Sequence, residues 1–130
     1  MSNKPTVLFI DDDATTRKIY AIRLTMAGLP MHVVESAAEA GKVLEEEQID
    51  VIVTDLMMPE YNGVDLIKAV READYTKHLP ILVFTSGGNV DMMQEAMQAG
   101  ANEIIQKHTT PPAILLEKIM QAHAEASEKK

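Results

Sequence analysis

The sequence predicts an α/β fold in which a parallel sheet is covered by helices on both faces. Four short runs rich in valine, isoleucine, leucine and phenylalanine recur along the chain, and continuous apolar runs are typical of strands buried on both sides. The runs are residues 7–10, 51–53, 81–84 and 104–105, with a weaker fifth at 31–34. Segments with helical spacing separate these runs. Strands and helices therefore alternate, which predicts a doubly wound sheet with right-handed crossovers.

The five predicted helices are recognised by their apolar spacing and by their ends. Gly28 and Gly100 predict the ends of the first and fourth helices. The second helix opens with a capping box at residues 36–39, and Thr110 before Pro111 is a cap and first-turn pair for the fifth. The positions expected to share one face in each helix are Thr15, Ile19, Ile22 and Met26; Ala40, Val43 and Leu44; Leu66, Ile67 and Val70; Val90, Met93 and Met97; and Leu115, Leu116 and Ile119.

Composition excludes several classes of function. The chain of 130 residues has 12 basic and 20 acidic side chains, a formal net charge of −8, and this balance argues against nucleic acid as a partner. No apolar run approaches the roughly 18 residues that span a bilayer, so no membrane insertion is expected. The absence of cysteine is consistent with a reducing compartment. A cytoplasmic location is the resulting expectation.

Polar side chains follow four of the predicted strands at their carboxyl ends. They are Asp11, Asp12 and Asp13; Asp55; Thr85 and Ser86; and Lys107. In doubly wound sheets ligands bind at this edge, so these side chains are expected to converge. Three carboxylates brought to about 4 Å would repel by about 4 kcal/mol per pair at an effective dielectric near 20. A hard divalent cation removes that penalty, and Mg²⁺ suits such a site, where it would neutralise an incoming phosphoryl group.

Asp55 is the best candidate nucleophile because it stands alone at the end of its strand. A carboxylate can attack phosphorus directly to form an aspartyl phosphate. The Thr85 hydroxyl and the Lys107 ammonium would then contact phosphoryl oxygens, with Ser86 beside them. Asp13 is expected to cap the first helix rather than to join the acidic pair.

Four segments of the sequence resemble the receiver domain of two-component response regulators. They are Val-Leu-Phe-Ile-Asp-Asp-Asp at 7–13, Val-Thr-Asp-Leu-Met-Met-Pro-Glu-Tyr-Asn-Gly at 53–63, Pro-Ile-Leu-Val-Phe-Thr-Ser at 80–86, and Gly-Ala-Asn-Glu-Ile-Ile-Gln-Lys at 100–107. The four segments occur in order at the family's spacings, and the resemblance runs from about Lys4 to Ser127. The sequence is similar in particular to the chemotaxis-type regulators that consist of one receiver domain.

The resemblance implies the fold and the roles of the site residues. The fold would be flavodoxin-like, with five parallel strands in the order 2-1-3-4-5 and five helices, and residues 1–130 would form a single receiver domain. Asp11 and Asp12 would be the acidic pair for Mg²⁺, with Asp55 and the Met57 carbonyl as further ligands. Asp55 would be the phosphoacceptor. The phosphate-binding residues would be Thr85, Ser86 and Lys107, of which Thr85 would be the switch hydroxyl.

The resemblance also implies partners. A phosphohistidine protein, either a sensor histidine kinase or a histidine phosphotransferase, would donate the phosphoryl group. The output would pass to a target protein through the fourth helix, the fifth strand and the fifth helix, where Met92 is expected to point outward. Such a protein is not an ordinary enzyme, although it assists its own phosphorylation and dephosphorylation.

Two positions depart from the family pattern. The family commonly has a proline, often after a cis bond, where this chain has His108. Because a cis bond before a non-proline residue costs roughly 2.5 to 4 kcal/mol, the bond between Lys107 and His108 is predicted to be trans. Many members also have an aromatic residue where this chain has Ile104. The usual coupling between the threonine and that aromatic residue is therefore expected to be altered.

Two other functions are compatible with parts of the sequence. The pattern Asp11-x-Asp13-x-Thr15 resembles the first motif of haloacid dehalogenase-type phosphatases, in which Asp11 would be the nucleophile. That family needs a further acidic pair late in the chain, where Asp91 is the only aspartate after Asp74. The second alternative is a pseudo-receiver, an interaction module that keeps the fold without being phosphorylated.

Overall fold

The computed structural model describes residues 4–58, 61–86 and 89–128, and its strands and helices alternate along the chain. The strands are Val7–Ile10 (β1), Met31–Val34 (β2), Val51–Thr54 (β3), Met57–Met58 (β4), Tyr61–Asn62 (β5), Ile81–Thr85 (β6) and Glu103–Gln106 (β7). The main sheet has the order β2-β1-β3-β6-β7 with all pairs parallel, and β4 and β5 form a separate antiparallel pair. Because β6 and β7 are the fourth and fifth strands of the main sheet in chain order, this order is the predicted 2-1-3-4-5. Pro59 and Glu60 of the second motif lie outside the described residues.

Five helices occur in the described part of the chain. The first, α1, consists of three consecutive segments: Ala14–Thr16, the π-helical Arg17–Ala21, and Ile22–Met26. The others are Ala37–Glu46 (α2), Gly63–Glu72 (α3), Val90–Ala99 (α4) and Pro112–Glu128 (α5). Within residues 4–58, 61–86 and 89–128, none of these helices has the length and apolarity needed to span a membrane.

Alternation along the strands builds two apolar layers. On β1, Leu8 and Ile10 pack in one layer while Val7 and Phe9 pack in the other. The first layer also contains the buried side chains of α2, α3 and α4, and the second contains those of α1 and α5. Because both faces of the central strands are covered, their sequences are continuously apolar.

Side-chain caps fix where the helices begin. Ser36 accepts a hydrogen bond from the backbone N–H of Glu39, and the Glu39 carboxylate accepts one from the N–H of Glu35, as in the predicted capping box. The fifth helix begins at Pro112, one residue later than the Thr110 and Pro111 pair predicted. The Pro111 carbonyl accepts hydrogen bonds from the N–H groups of Ile114 and Leu115, so Pro111 takes the capping position.

The predicted buried face of α1 is wrong. Ile19, Ile22 and Met26 are 49%, 53% and 77% exposed, whereas Ala21 and Leu24 are buried against the sheet. Apolar residues occur on two faces of this helix, so periodicity does not decide which face packs. The small side chain of Ala21 allows the second face to approach the sheet closely.

The predicted orientation of α4 is wrong for Val90 and Met97, although Met93 packs inward as predicted. Val90 and Met97 are 64% and 46% exposed, whereas Ala96 is fully buried and Met92 packs partly against the core beside Met93. The helix is thus turned by about one residue, or about 100°, from the predicted orientation. Alanine at position 96 explains the difference because it permits close packing, and Met92 consequently does not point outward.

Candidate functional site

Asp11 and Asp55 are held at the carboxyl edge of the sheet by the strands that precede them. The Asp11 N–H donates to the Val34 carbonyl at 3.1 Å, and the Asp55 N–H donates to the Ile10 carbonyl at 3.1 Å. The pairing of β1 with β2 therefore extends one residue past β1, and the pairing of β3 with β1 extends one residue past β3. This ladder brings two carboxylates from distant parts of the sequence to one point, as predicted.

Three carboxylates form a cluster at this edge. Asp11, Asp12 and Asp55 each present an oxygen, and these oxygens lie within 4.8 Å of one another. Asp11 and Asp55 are 1% and 6% exposed, while Asp12 is open to solvent. The cluster thus has two buried acids and one at its mouth, which leaves access for a ligand.

Lys107 directly follows the edge strand β7, and its side chain extends into the cluster. Its Nζ atom lies 2.6 Å from Asp11 Oδ2 and 2.8 Å from Asp55 Oδ2. Burial lowers the pKa of Lys107, but hydrogen bonding and charge from the two carboxylates outweigh it, so the pKa is raised overall. The ammonium is therefore charged at neutral pH and offsets part of the repulsion between the acids.

The Asp11 side chain is the one best suited to hold a cation. Its Oδ1 accepts a hydrogen bond from the Asp13 N–H at 2.9 Å, and its buried Oδ2 lies 2.6 Å from the Lys107 ammonium. Burial raises the pKa of Asp11, and the lowering by Lys107 does not cancel this effect. Two buried carboxylates and one exposed carboxylate, with oxygens within 4.8 Å of one another, form a donor set that fits a hard oxygen-binding cation such as Mg²⁺.

Asp55 is oriented by its own loop. Its Oδ1 accepts hydrogen bonds from the N–H groups of Leu56 at 2.7 Å and Met57 at 3.3 Å. Gly63 packs against the back of this loop, where an added Cβ would lie 2.6 Å from the Asp55 carbonyl oxygen. The glycine therefore lets α3 begin directly behind the carboxylate.

Replacing Gly63 by alanine is expected to destabilise the protein by about 2 kcal/mol, because the added methyl group would overlap the backbone of Asp55 and Leu56. Chemical denaturation checks this value. Gly41→Ala is the matched control: it lies in the interior of α2 with nothing within 4 Å of an added Cβ, and it should stabilise by roughly 0.5 kcal/mol. Equal effects of the two substitutions would contradict the close approach at Gly63.

The remaining predicted site residues are placed as follows. Thr85 is the last residue of β6 and is buried, and Ser86 follows it as an exposed residue. Within the described residues the Thr85 hydroxyl forms no hydrogen bond with Asp55 or Lys107. Met57 pairs with Asn62 in the short β4–β5 hairpin, and its side chain is exposed. These three residues lie beside the cluster without joining its ion pairs.

Asp13 caps α1 and does not belong to the carboxylate cluster. Its Oδ2 accepts hydrogen bonds from the Thr16 hydroxyl at 2.6 Å and the Thr16 N–H at 3.3 Å. The hydrogen bond from the Thr16 hydroxyl is the largest of several effects that lower the pKa of Asp13. Asp13 therefore has the capping role that was predicted from the sequence.

Sequence reasoning missed two residues on α1 that contact the site. Arg17 donates to the Asp11 carbonyl at 2.7 Å and lies 3.4 Å from the Glu35 carboxylate. Tyr20 donates from its hydroxyl to the carbonyls of Lys107 at 3.1 Å and Thr110 at 3.0 Å. Neither contact has a local signal, because the partners lie far apart in sequence or involve backbone atoms.

The bond between Lys107 and His108 is trans, as predicted.

Comparison with known proteins gives matches over most of the chain. The family model described as the response regulator receiver domain matches residues 7–119. The chemotaxis protein CheY of Pseudomonas aeruginosa is 36% identical over 114 residues, which cover 87% of this chain and 91% of that protein. The phosphate regulon transcriptional regulatory protein PhoB of the same species is 30% identical over 106 residues, covering 82% of this chain. This chain spans 46% of the length of PhoB, so it corresponds to part of that regulator.

Solved structures share the fold. The chemotaxis response regulator CheY4 of Vibrio cholerae is 28% identical, with a TM-score of 0.83 over 92% of this chain and 99% of that one. A CheY-like receiver domain protein from Methanospirillum hungatei has a TM-score of 0.89 over 98% of this chain and 100% of that one, and at 21% identity it supports the fold alone. Because the family model covers residues 7–119, the chain belongs to the response regulator receiver domain family.

Proposed function

We propose that this protein is a phosphoacceptor response regulator that receives a phosphoryl group on Asp55 and passes the signal on by protein contact. The observation that carries the proposal is the meeting of Asp11, Asp55 and Lys107. One ammonium lies within 2.8 Å of two buried carboxylates, at the edge of the sheet where a third carboxylate is exposed. A purely structural ion pair would not need the additional acid at the mouth of the site.

The chemical step follows from these groups. A carboxylate oxygen of Asp55 attacks the phosphorus atom of a phosphohistidine, a P–O bond forms, and the P–N bond breaks. The departing imidazole keeps the electron pair of that bond and takes a proton from solvent. Lys107 would move with the phosphoryl group as a point charge, and the Thr85 hydroxyl would donate to one of its oxygens.

Receiver domains bind Mg²⁺ in an acidic pocket, and the carboxylates of this chain fit that ion. Asp11, Asp12 and Asp55 would hold it, with the Met57 carbonyl as a further ligand. When bound, the ion would neutralise charge that develops on the phosphoryl oxygens. Lys107 lies against the same two buried carboxylates, so the ammonium and the cation would share them.

The outward side chains of α4 and α5 support the proposed output surface. Val90 and Met97 on α4 and Ile114 on α5 are exposed, and β7 lies beside α4 in the fold. Exposed apolar side chains on these two helices are available for contact with a protein partner. The partners we propose are a histidine kinase or histidine phosphotransferase as donor, and a target protein on this surface.

Phosphorylation of the intact protein tests the proposal. Acetyl phosphate with Mg²⁺ is expected to add about 80 Da, the mass of one phosphoryl group, as a base-labile adduct that the Asp55→Asn substitution abolishes. Mass spectrometry of the intact protein and of its peptides checks the position. Asp74→Asn is the control, because that carboxylate is exposed in an ion pair with Lys77 away from the cluster.

The same measurement distinguishes a phosphoacceptor from the alternative function, a pseudo-receiver that is never phosphorylated. An adduct on Asp55 in the wild-type protein, unchanged in Asp74→Asn, supports the phosphoacceptor. The phosphoacceptor proposal is overturned if neither acetyl phosphate nor a phosphorylated histidine phosphotransferase gives an adduct. It is also overturned if the adduct lies on a residue other than Asp55.

A further inference from the structure

Lys107 begins a short turn whose backbone is held from another part of the fold. The turn is the 3-10 segment Lys107–Thr109, and no side chain caps its start. Its tertiary hydrogen bonds come from the Tyr20 hydroxyl on α1, which reaches the carbonyls of Lys107 and Thr110 at 3.1 and 3.0 Å. The residue inside the turn, His108, is exposed. The position of the Lys107 backbone therefore depends on α1.

The Tyr20 ring is itself fixed in place. It meets Phe84 edge to face, with the ring centroids 4.7 Å apart. Phe84 is buried, packs in turn on Phe9, and directly precedes Thr85. One side chain thus contacts both the turn that carries Lys107 and the strand end that carries Thr85. These are the two residues proposed to touch the phosphoryl oxygens.

Tyr20 lies in the π-helical segment of α1, Arg17–Ala21. Such segments are rare and are frequent at functional sites, because the wider turn changes the direction of side chains. Here the segment supplies Arg17, whose guanidinium donates to the Asp11 carbonyl at 2.7 Å, and Tyr20, whose hydroxyl holds the turn after Lys107. Two residues of this five-residue segment therefore contact the backbones of Asp11 and Lys107, whose side chains form an ion pair.

We propose that Tyr20 is a positioning residue for phosphoryl transfer, which places the Lys107 ammonium against Asp55 by holding the backbone of the Lys107 turn. The inference rests on the proposed function. Loss of the hydroxyl releases the Lys107 carbonyl and the Thr110 carbonyl that follows the turn, and it lets the ammonium move away from the oxygens it must contact. Displacements of this kind slow a reaction strongly, because the reacting groups must be held within a fraction of an ångström.

The test is the Tyr20→Phe substitution, which keeps the ring against Phe84 and removes only the hydroxyl. Phosphorylation by acetyl phosphate at saturating Mg²⁺ is expected to slow by about tenfold. Mg²⁺ affinity should change by less than about twofold, because Asp11, Asp12 and Asp55 are held by other strands and loops. Tyr75→Phe is the matched control: Tyr75 is exposed and lies in the loop before β6, so its rate should equal that of the wild type.

A double-mutant cycle distinguishes positioning from a general loss of structure. In a protein that already carries Lys107→Ala, folded at saturating Mg²⁺, Tyr20→Phe should have no further effect on the rate. A tenfold loss that persists in the Lys107→Ala background, or an unchanged rate in Tyr20→Phe alone, overturns the inference. A wild-type protein that is not phosphorylated on Asp55 would instead refute the proposed function itself.

Discussion

Replacing Lys107 by alanine is expected to destabilise the protein by about 3 kcal/mol when Mg²⁺ is absent, the usual result of removing one partner from a buried ion pair. The side chains of Lys107, Asp11 and Asp55 are all largely buried, so little solvent can replace the lost ammonium. Two carboxylates would then face each other in a site that already raises the pKa of Asp11 by burial. Chemical denaturation in a chelator measures the loss.

Mg²⁺ should restore much of that stability, because the cation would take the place of the ammonium between the carboxylates. A ligand that binds only the folded state stabilises it in proportion to the logarithm of its concentration above Kd. The increase in unfolding free energy between chelator and saturating Mg²⁺ should therefore be larger in Lys107→Ala than in the wild type.

Lys118→Ala provides the comparison for this effect. Lys118 also forms an ion pair, with Glu103, but both side chains are about one third or more exposed. Its removal should cost less than about 1 kcal/mol and should not alter the response to Mg²⁺. If the two lysine variants lose equal stability, or if Mg²⁺ stabilises Lys107→Ala no more than the wild type, Lys107 does not offset the charge repulsion between the carboxylates.

The site could be predicted from sequence because it obeys a rule of topology. Residues that follow parallel strands must meet at one edge of the sheet, so Asp11, Asp55 and Lys107 were placed together without any knowledge of their side-chain conformations. The central strands were predictable for a related reason. A strand buried on both faces is apolar at every position, and this pattern has few other interpretations in a short segment.

Helix orientation was less predictable because apolar residues are not confined to buried faces. In α1 the bulky face of Ile19, Ile22 and Met26 is exposed, and in α4 the same is true of Val90 and Met97. In both helices an alanine, Ala21 or Ala96, marks the buried side. Close packing onto a sheet favours small residues, whereas a scale that rewards hydrophobic size selects the opposite face.

Long-range polar contacts had no sequence signal at all. Tyr20 and Arg71 each bind backbone carbonyls from distant segments, and a carbonyl is present at every residue. These contacts are visible only in the structure, which shows the carbonyls that each side chain reaches.

Replacing Arg71 by methionine is expected to destabilise the protein by about 3 kcal/mol, because hydrogen bonds from a charged donor are among the more valuable ones. The Arg71 guanidinium donates to the carbonyls of Lys77, Leu79 and Gly100 and to the Asn102 side chain, at distances between 2.6 and 3.1 Å. Burial lowers the pKa of Arg71, yet a guanidinium remains charged in proteins. Methionine keeps the apolar stem and removes every donor.

The Arg71 network joins two loops at the amino-terminal edge of the sheet. Asn102, which accepts from Arg71, also accepts from the Ile81 N–H at 2.8 Å and so ties the start of β6 to the start of β7. Gly100 adopts a positive φ of 123°, and a Cβ there would lie 2.7 Å from the Arg71 side chain. Only glycine fits both the backbone conformation and the space.

Arg23→Met is the control, since Arg23 lies on the exposed side of α1, and it should change the unfolding free energy by less than about 0.5 kcal/mol. The Arg71 network and the carboxylate cluster lie at opposite ends of the strands. Arg71→Met should therefore lower stability while the folded protein is still phosphorylated on Asp55 at the wild-type rate. A slowed reaction in the folded variant would mean that the two edges are coupled through β6 and β7, because those strands connect Ile81 and Asn102 to Thr85 and Lys107.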